Sequence, residues 1–152
     1  MARNERKMVP LEIDQVGIVV RDIDKAISQL QSLLGIGPFE TREIDRPDAI
    51  VHGKQTRVRA KLAFAQAGPV QLELIEPGEG ENTYTEFLRS KGEGVHHFGI
   101  IVTDMERELA RFREKGIKVL QSQGSARGSV AYLDTEELTG VILELRHRKH
   151  SS

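Results

Sequence analysis

The chain has 152 residues, 30% of them charged and 38% in the hydrophobic class, and 22 basic residues against 23 acidic ones leave a net charge of −1. That balance fits a folded globular domain and excludes the clustered Lys/Arg excess of a nucleic-acid-binding surface. With no cysteine, disulfides, thiolate nucleophiles and thiolate metal sites are excluded, and no apolar run approaches the roughly 18 residues that cross a bilayer.

Residues 1–10 read as a flexible leader ending at Pro10, too polar for a secretory signal, so a cytoplasmic protein is expected. Residues 11–20 are apolar-rich and short, which predicts a buried strand. Asp22 then stands as an N-cap, Ile23, Ala26, Ile27, Leu30 and Leu34 recur at helical spacing, and Gly35 closes the helix. Residues 39–56 are the least readable: 39–44 suit a strand, and Asp45-Arg46-Pro47-Asp48 a turn or loop. From Arg57 the pattern has period 2. Val58, Ala60, Leu62 and Phe64 form one face, with Arg57, Arg59 and Lys61 on the other as a solvated edge or a contact for an anionic substrate group. A turn at 67–69 leads into a strand over 70–76, stopped by Pro77-Gly78.

Residues 78–94 read as a connection, with one short helical turn around Tyr84, Phe87 and Leu88. A second unit opens at His96. Asp104 (or Thr103) caps a helix bearing Met105, Leu109 and Phe112 and closed by Gly116. Then come a short strand over 117–120, a turn over 124–128, a strand over 129–134, a loop over 135–140 and a last strand over 141–145. Arg146-His147-Arg148-Lys149-His150 reads as a frayed basic tail, and 147–152 are set outside the domain.

The chain states one pattern twice. Setting Gln15 against His97 makes Gly17/Gly99, Ile18/Ile100, Val20/Val102 and Asp22/Asp104 coincide at one offset, and Leu72-Glu73-Leu74 closes the first unit as Leu143-Glu144-Leu145 closes the second. The expected fold class is therefore α+β. Two tandem βαβββ modules (about 11–77 and 95–146, joined by 78–94) form one domain over 11–146 with a continuous curved mixed sheet and helices on its convex side. Strand alternation turns Gln15, Glu73, His97 and Glu144 to the concave face. If the first and last strands of each module are adjacent, the four residues meet, and three oxygen donors with one imidazole suit a divalent metal. His96 points to the other face as a supporting residue. His52, His147 and His150 are given no role.

The βαβββ repeat, with the Gln15/His97 pair opening each unit and the Glu73/Glu144 pair closing it, resembles the vicinal oxygen chelate (glyoxalase) superfamily over about residues 11–146. Leu74-Ile75-Glu76-Pro77, Gly92-Glu93-Gly94-Val95-His96-His97 and 140–145 are most similar to methylmalonyl-CoA epimerase signatures. The resemblance implies a bound divalent metal (Zn, Co, Ni, Mn or Mg) held by Gln15, Glu73, His97 and Glu144, with Gln71 a rival ligand. It implies an epimerase or isomerase that removes an α-proton through a metal-stabilised enolate, with Glu144 as base and Glu73 as the second candidate. The substrate implied is an acyl-CoA thioester or an α-hydroxy carbonyl compound, and a homodimer is expected. Two departures stand out. Gln15 replaces the histidine usual in epimerases, though some glyoxalase I enzymes use glutamine, and residues 55–59 carry no carboxylate where epimerases place a second catalytic glutamate. A glyoxalase I-like lactoylglutathione lyase is the alternative reading. A metal-free small-molecule-binding protein of the drug-resistance type comes second, against which stand the ligand set and only seven aromatics with no Trp.

Overall fold

A computed structural model describes residues 10–125 and 127–149. The leader expected at residues 1–10 thus lies outside the described residues except for Pro10, as do His150 and the last two residues of the expected tail. Strands β1 (Ile13–Val19), β2 (Glu40–Arg46), β3 (Ile50–Val51), β4 (Lys54–Gln55), β5 (Val58–Ala67), β6 (Val70–Pro77), β7 (Gly94–Ile101), β8 (Val119–Ser125), β9 (Gly128–Leu133) and β10 (Ile142–Arg148) form one curled mixed sheet. Its order is β2-β5-β6-β1-β7-β10-β9-β8-β3-β4. No helix among the described residues is long and apolar enough to cross a membrane.

The repeat explains the order. Each module's first strand lies parallel to its own last strand, β1 against β6 and β7 against β10. The two first strands then pair antiparallel, which joins four strands of each module about a pseudo-twofold, with β3 and β4 extending the sheet beyond β8. Helices α1 (Ile23–Leu34) and α3 (Met105–Glu114) start at the repeat-equivalent caps Asp22 and Asp104, whose carboxylates accept from Lys25 N and Arg107 N. Their apolar stripes cover the convex face. Ile23, Ala26, Ile27 and Leu30 pack on Val20, Ala63 and Leu74, while Leu109 and Phe112 pack on Ile100, Val102, Leu133 and Leu145.

Three segments depart from the expected pattern. Of the turn or loop expected at residues 45–48, Asp45 and Arg46 belong to β2 and only Pro47 and Asp48 turn; beyond them β3 and β4 form a hairpin that crosses to the second module and pairs with β8, Ile50 opposite Ser122. The connection holds a nine-residue helix, α2 (Thr83–Lys91), with a capping box at Asn82. Alone among the longer helices it enters the concave side, where Tyr84 and Phe87 join Val19, Ile75, Tyr132 and Ile142. The span 135–140 holds a short helix, α4 (Glu136–Thr139), ended by Gly140 in the left-handed region. The last strand also continues through Arg148. The basic run 146–148 is therefore sheet rather than frayed tail, because its backbone completes the ladder with β9.

Candidate metal centre

Four strands each bring one polar side chain to the floor of the concave face. Gln15 and His97 come from the central pair β1 and β7, and Glu73 and Glu144 from the flanking β6 and β10. All four are buried. His97 Nε2 lies 3.1 Å from Gln15 Oε1, 3.4 Å from Glu73 Oε1 and 3.6 Å from Glu144 Oε1. The strand register requires this meeting. Gly17 pairs with His97 and Gly99 with Gln15, and beyond them Gly17 faces Glu73 and Gly99 faces Glu144.

Those two glycines are the cradle. A Cβ on Gly17 would stand 2.0 Å from His97 Cε1, and one on Gly99 2.8 Å from Gln15 Cβ, so each ring or amide lies where a side chain would otherwise be. The two histidines also owe their placement to a β-bulge. Gly17 faces His97 and Ile18 faces Val95, which leaves His96 as the extra residue in β7. The bulge overrides simple alternation: His96 is fully buried among Tyr84, Phe87 and Tyr132, and its Nδ1 lies 3.0 Å from His97 Nδ1. That contact fixes the His97 ring with Nε2 toward the carboxylates, as a supporting group orients a ligand imidazole.

The donor set fits a divalent cation. Single atoms of Glu73, His97 and Glu144 lie within 4.8 Å of one another, and Glu73 Oε1 is buried with no hydrogen-bond partner. The Gln15 amide adds a fourth atom. In one orientation its oxygen joins the group, and its nitrogen donates to Gln71 Oε1 at 2.9 Å. Turned over, its nitrogen would donate to His97 Nε2 and Glu144 Oε1, with its oxygen near Arg146 Nη1. In the first orientation, lone pairs of three oxygens and one imidazole nitrogen face one point, where a buried carboxylate oxygen without a hydrogen bond is costly in the absence of a cation. Gln71 holds the far side of the Gln15 amide and is outside the group around His97.

Electrostatics follow from this crowding. Burial pulls the His97 imidazole down, but Glu144 and then Glu73 beside it outweigh that, and its pKa is raised above the ordinary histidine value. Burial pushes the Glu144 carboxyl above its usual range, with Glu73 adding to the effect against the opposing pull of His97 and Arg146. His96, also desolvated and beside His97, is held well below the ordinary value and is neutral.

The centre floors a cavity of about 430 Å³. Among its walls, Tyr84 and Tyr132 join hydroxyl to hydroxyl at 2.6 Å. Sequence reasoning missed several of these residues. Arg146, assigned to the tail, pairs with Asp14 at 2.5 Å and Glu144 at 3.3 Å; its position two after Glu144 in one strand was the available signal. Arg42 and Arg46 line the cavity, whereas Arg57, Arg59 and Lys61, read from the sequence as either a solvated edge or an anion contact, do not. Arg57, Arg59 and Lys61 lie on the opposite face of β5, where Arg57 holds the Asp45 carboxyl down at about 2.

Residues 14–132 match the profile of the Glyoxalase/Bleomycin resistance protein/Dioxygenase superfamily. By sequence the chain is 26% identical over 147 residues to the uncharacterized protein YqjC of Bacillus subtilis (strain 168), covering 91% of this chain and 97% of that one. It is 25% identical over 138 residues to the mitochondrial methylmalonyl-CoA epimerase of Bos taurus, covering 88% and 72%. Its structure is similar to that of a variant methylmalonyl-CoA epimerase of Streptomyces coelicolor in complex with 2-nitronate-propionyl-CoA. The TM-score there is 0.68 with 25% identity, over 92% of this chain and 99% of that one.

Proposed function

We propose that this chain, which belongs to the Glyoxalase/Bleomycin resistance protein/Dioxygenase superfamily, is a metal-dependent epimerase or isomerase that moves an α-proton on a small acyl thioester. The observation that carries this reading is the buried convergence of Gln15, Glu73, His97 and Glu144, with Glu73 Oε1 left without a hydrogen-bond partner. Those four residues would hold a divalent ion, which would supply Lewis-acid charge to stabilise negative charge developing on the substrate carbonyl.

The chain's own part is to move the proton. Glu144, with its pKa raised by burial, is the base: its carboxylate takes the α-hydrogen as a proton, and the C–H electron pair shifts toward the adjacent carbonyl. Glu73, related to it by the pseudo-twofold, returns a proton from the other side for epimerisation. These two are the only carboxylates lining the cavity among the described residues. The same fact favours, as a second reading, a glyoxalase I-like isomerisation in which one of the two carboxylates returns the proton to the adjacent carbon.

The test is metal content, followed by α-proton exchange in deuterated water with methylmalonyl-CoA and with the hemithioacetal of methylglyoxal and glutathione. Close to one divalent ion per chain and exchange abolished in Glu144→Gln support the proposal. A protein without metal affinity, or exchange unchanged in both Glu73→Gln and Glu144→Gln, overturns it. A homodimer belongs to the same reading and is checked by sedimentation.

A further inference from the structure

Outside its floor, the cavity is lined by charge of one sign. Its only carboxylates among the described residues are Glu73 and Glu144, while Arg42, Arg46, Arg127 and Arg148 stand around the walls. A chain of net charge −1 achieves this by sorting, and strand β2 does it most clearly. Alternation turns Arg42, Ile44 and Arg46 to the cavity and sends Glu43 and Asp45 to the opposite face, where Asp45 is taken up by Arg57 and Arg59. Glu40, the one acid on the inward face of this strand, does not line the cavity. The arginines are also oriented. The Arg42 guanidinium lies 4.5 Å over the Phe64 ring, Arg46 Nη1 reaches the Asp45 carbonyl at 3.4 Å, and Ile44 between them is buried. Stacking occupies the flat face of a guanidinium and leaves its edge donors to meet an anion.

We propose that Arg42 and Arg46 form a clasp for an anionic group, phosphate or carboxylate, carried by the substrate on a part remote from the reacting carbon. Strand β2 is two strands from β6, about 10 Å across the sheet, and Arg42 and Arg46 lie a further two and six residues along β2 from Glu40, which is in register with Glu73 through Phe64. The inference rests on reading the cavity as the site of a metal-dependent epimerase or isomerase and names the substrate class for it. The substrate is bifunctional, with an end that presents two neighbouring oxygens to the centre and an anionic tail held at β2.

The experiment is calorimetric titration of the full chain, wild type and the Arg42→Gln/Arg46→Gln double variant, with three probes. Coenzyme A carries phosphates, glutathione carries carboxylates, and pantetheine carries the coenzyme A thiol arm without its charge. We expect coenzyme A to bind the wild type more tightly than pantetheine does and to lose at least tenfold in affinity in the double variant, with pantetheine unchanged. A loss for glutathione with none for coenzyme A supports the clasp and assigns the anion as a carboxylate. Equal binding of every probe to both proteins, or no wild-type preference for the anions, overturns it and leaves Arg42 and Arg46 as solvated charges protecting an edge strand. Metal analysis separates this from failure of the metal reading. The double variant keeps wild-type metal content, and Glu73→Gln/Glu144→Gln, stripped of metal, still distinguishes coenzyme A from pantetheine.

Discussion

Arg146 on the last strand reaches across to Asp14 on the first, Nη2 to Oδ1 at 2.5 Å, while its Nε lies 3.3 Å from Glu144 Oε1. One half-buried guanidinium therefore joins the two modules and balances a carboxylate of the candidate metal centre. Removing one partner of such a group leaves its counterions uncompensated. Arg146→Met should destabilise the metal-free protein by about 3 kcal/mol, read from urea unfolding. A saturating divalent ion should stabilise the variant more than the wild type, because it takes over the charge balance at Glu144. Equal stabilisation of both proteins would count against that role.

Gly17 and Gly99 make a graded pair. The Cβ of Gly17→Ala would meet the His97 ring at 2.0 Å, whereas that of Gly99→Ala would meet Gln15 at 2.8 Å and Arg146 Nε at 3.1 Å. Overpacking of this kind costs about 1–3 kcal/mol. Gly17→Ala should fall at the upper end and lower metal affinity at least tenfold, with Gly99→Ala milder on both counts. Thermal unfolding and metal titration of the two variants side by side decide this, and equal effects would contradict the cradle.

The pH dependence of the metal-free protein has two limbs of opposite sign. The raised His97 binds a proton more tightly folded than unfolded, so its stabilisation is complete below the unfolded value near 6.5 and is lost as pH rises through the folded value. The raised Glu144 acts in the same direction, with loss beginning above its unfolded value near 4.5. The depressed His96 does the reverse: the neutral ring costs nothing above about 6.5, and stability falls as pH drops below that. In chemical denaturation between about pH 5 and 9, Glu144→Gln should flatten the alkaline limb and His96→Phe the acid limb. Metal should bind with proton release, measured by calorimetry in buffers of different ionisation enthalpy.

The cap of helix α2 offers a control at a residue that is not itself among the proposed ligands. The buried Asn82 side chain accepts from Tyr84 N and Thr85 N and starts the helix whose Tyr84 and Phe87 wall in His96. Asn82→Ala should cost about 1–2 kcal/mol by denaturant unfolding while metal content stays at the wild-type value.

By itself, the sequence determined the repeat, and through it much of the architecture. Coincident glycines, caps and closing Leu-Glu-Leu triplets, with period-2 and period-3.6 apolar patterns, are local signals, because burial on one face of a strand or helix imprints a period on neighbouring residues. They were enough to set Gln15, Glu73, His97 and Glu144 on one face, while the pairing of the first and last strands of each module, on which their meeting depends, was supplied by the structure. Only the tertiary structure decided the rest, because it depends on contacts between residues far apart in the chain. The bulge at His96 exists through the register of β7 against β1. The β3–β4 hairpin is held by the edge strand β8 of the other module. Arg146 leaves an apparent basic tail because Asp14, 132 residues away, holds it. The inward charge of β2 has meaning only because the curled sheet turns that face toward the centre, a geometry that no period in the sequence encodes.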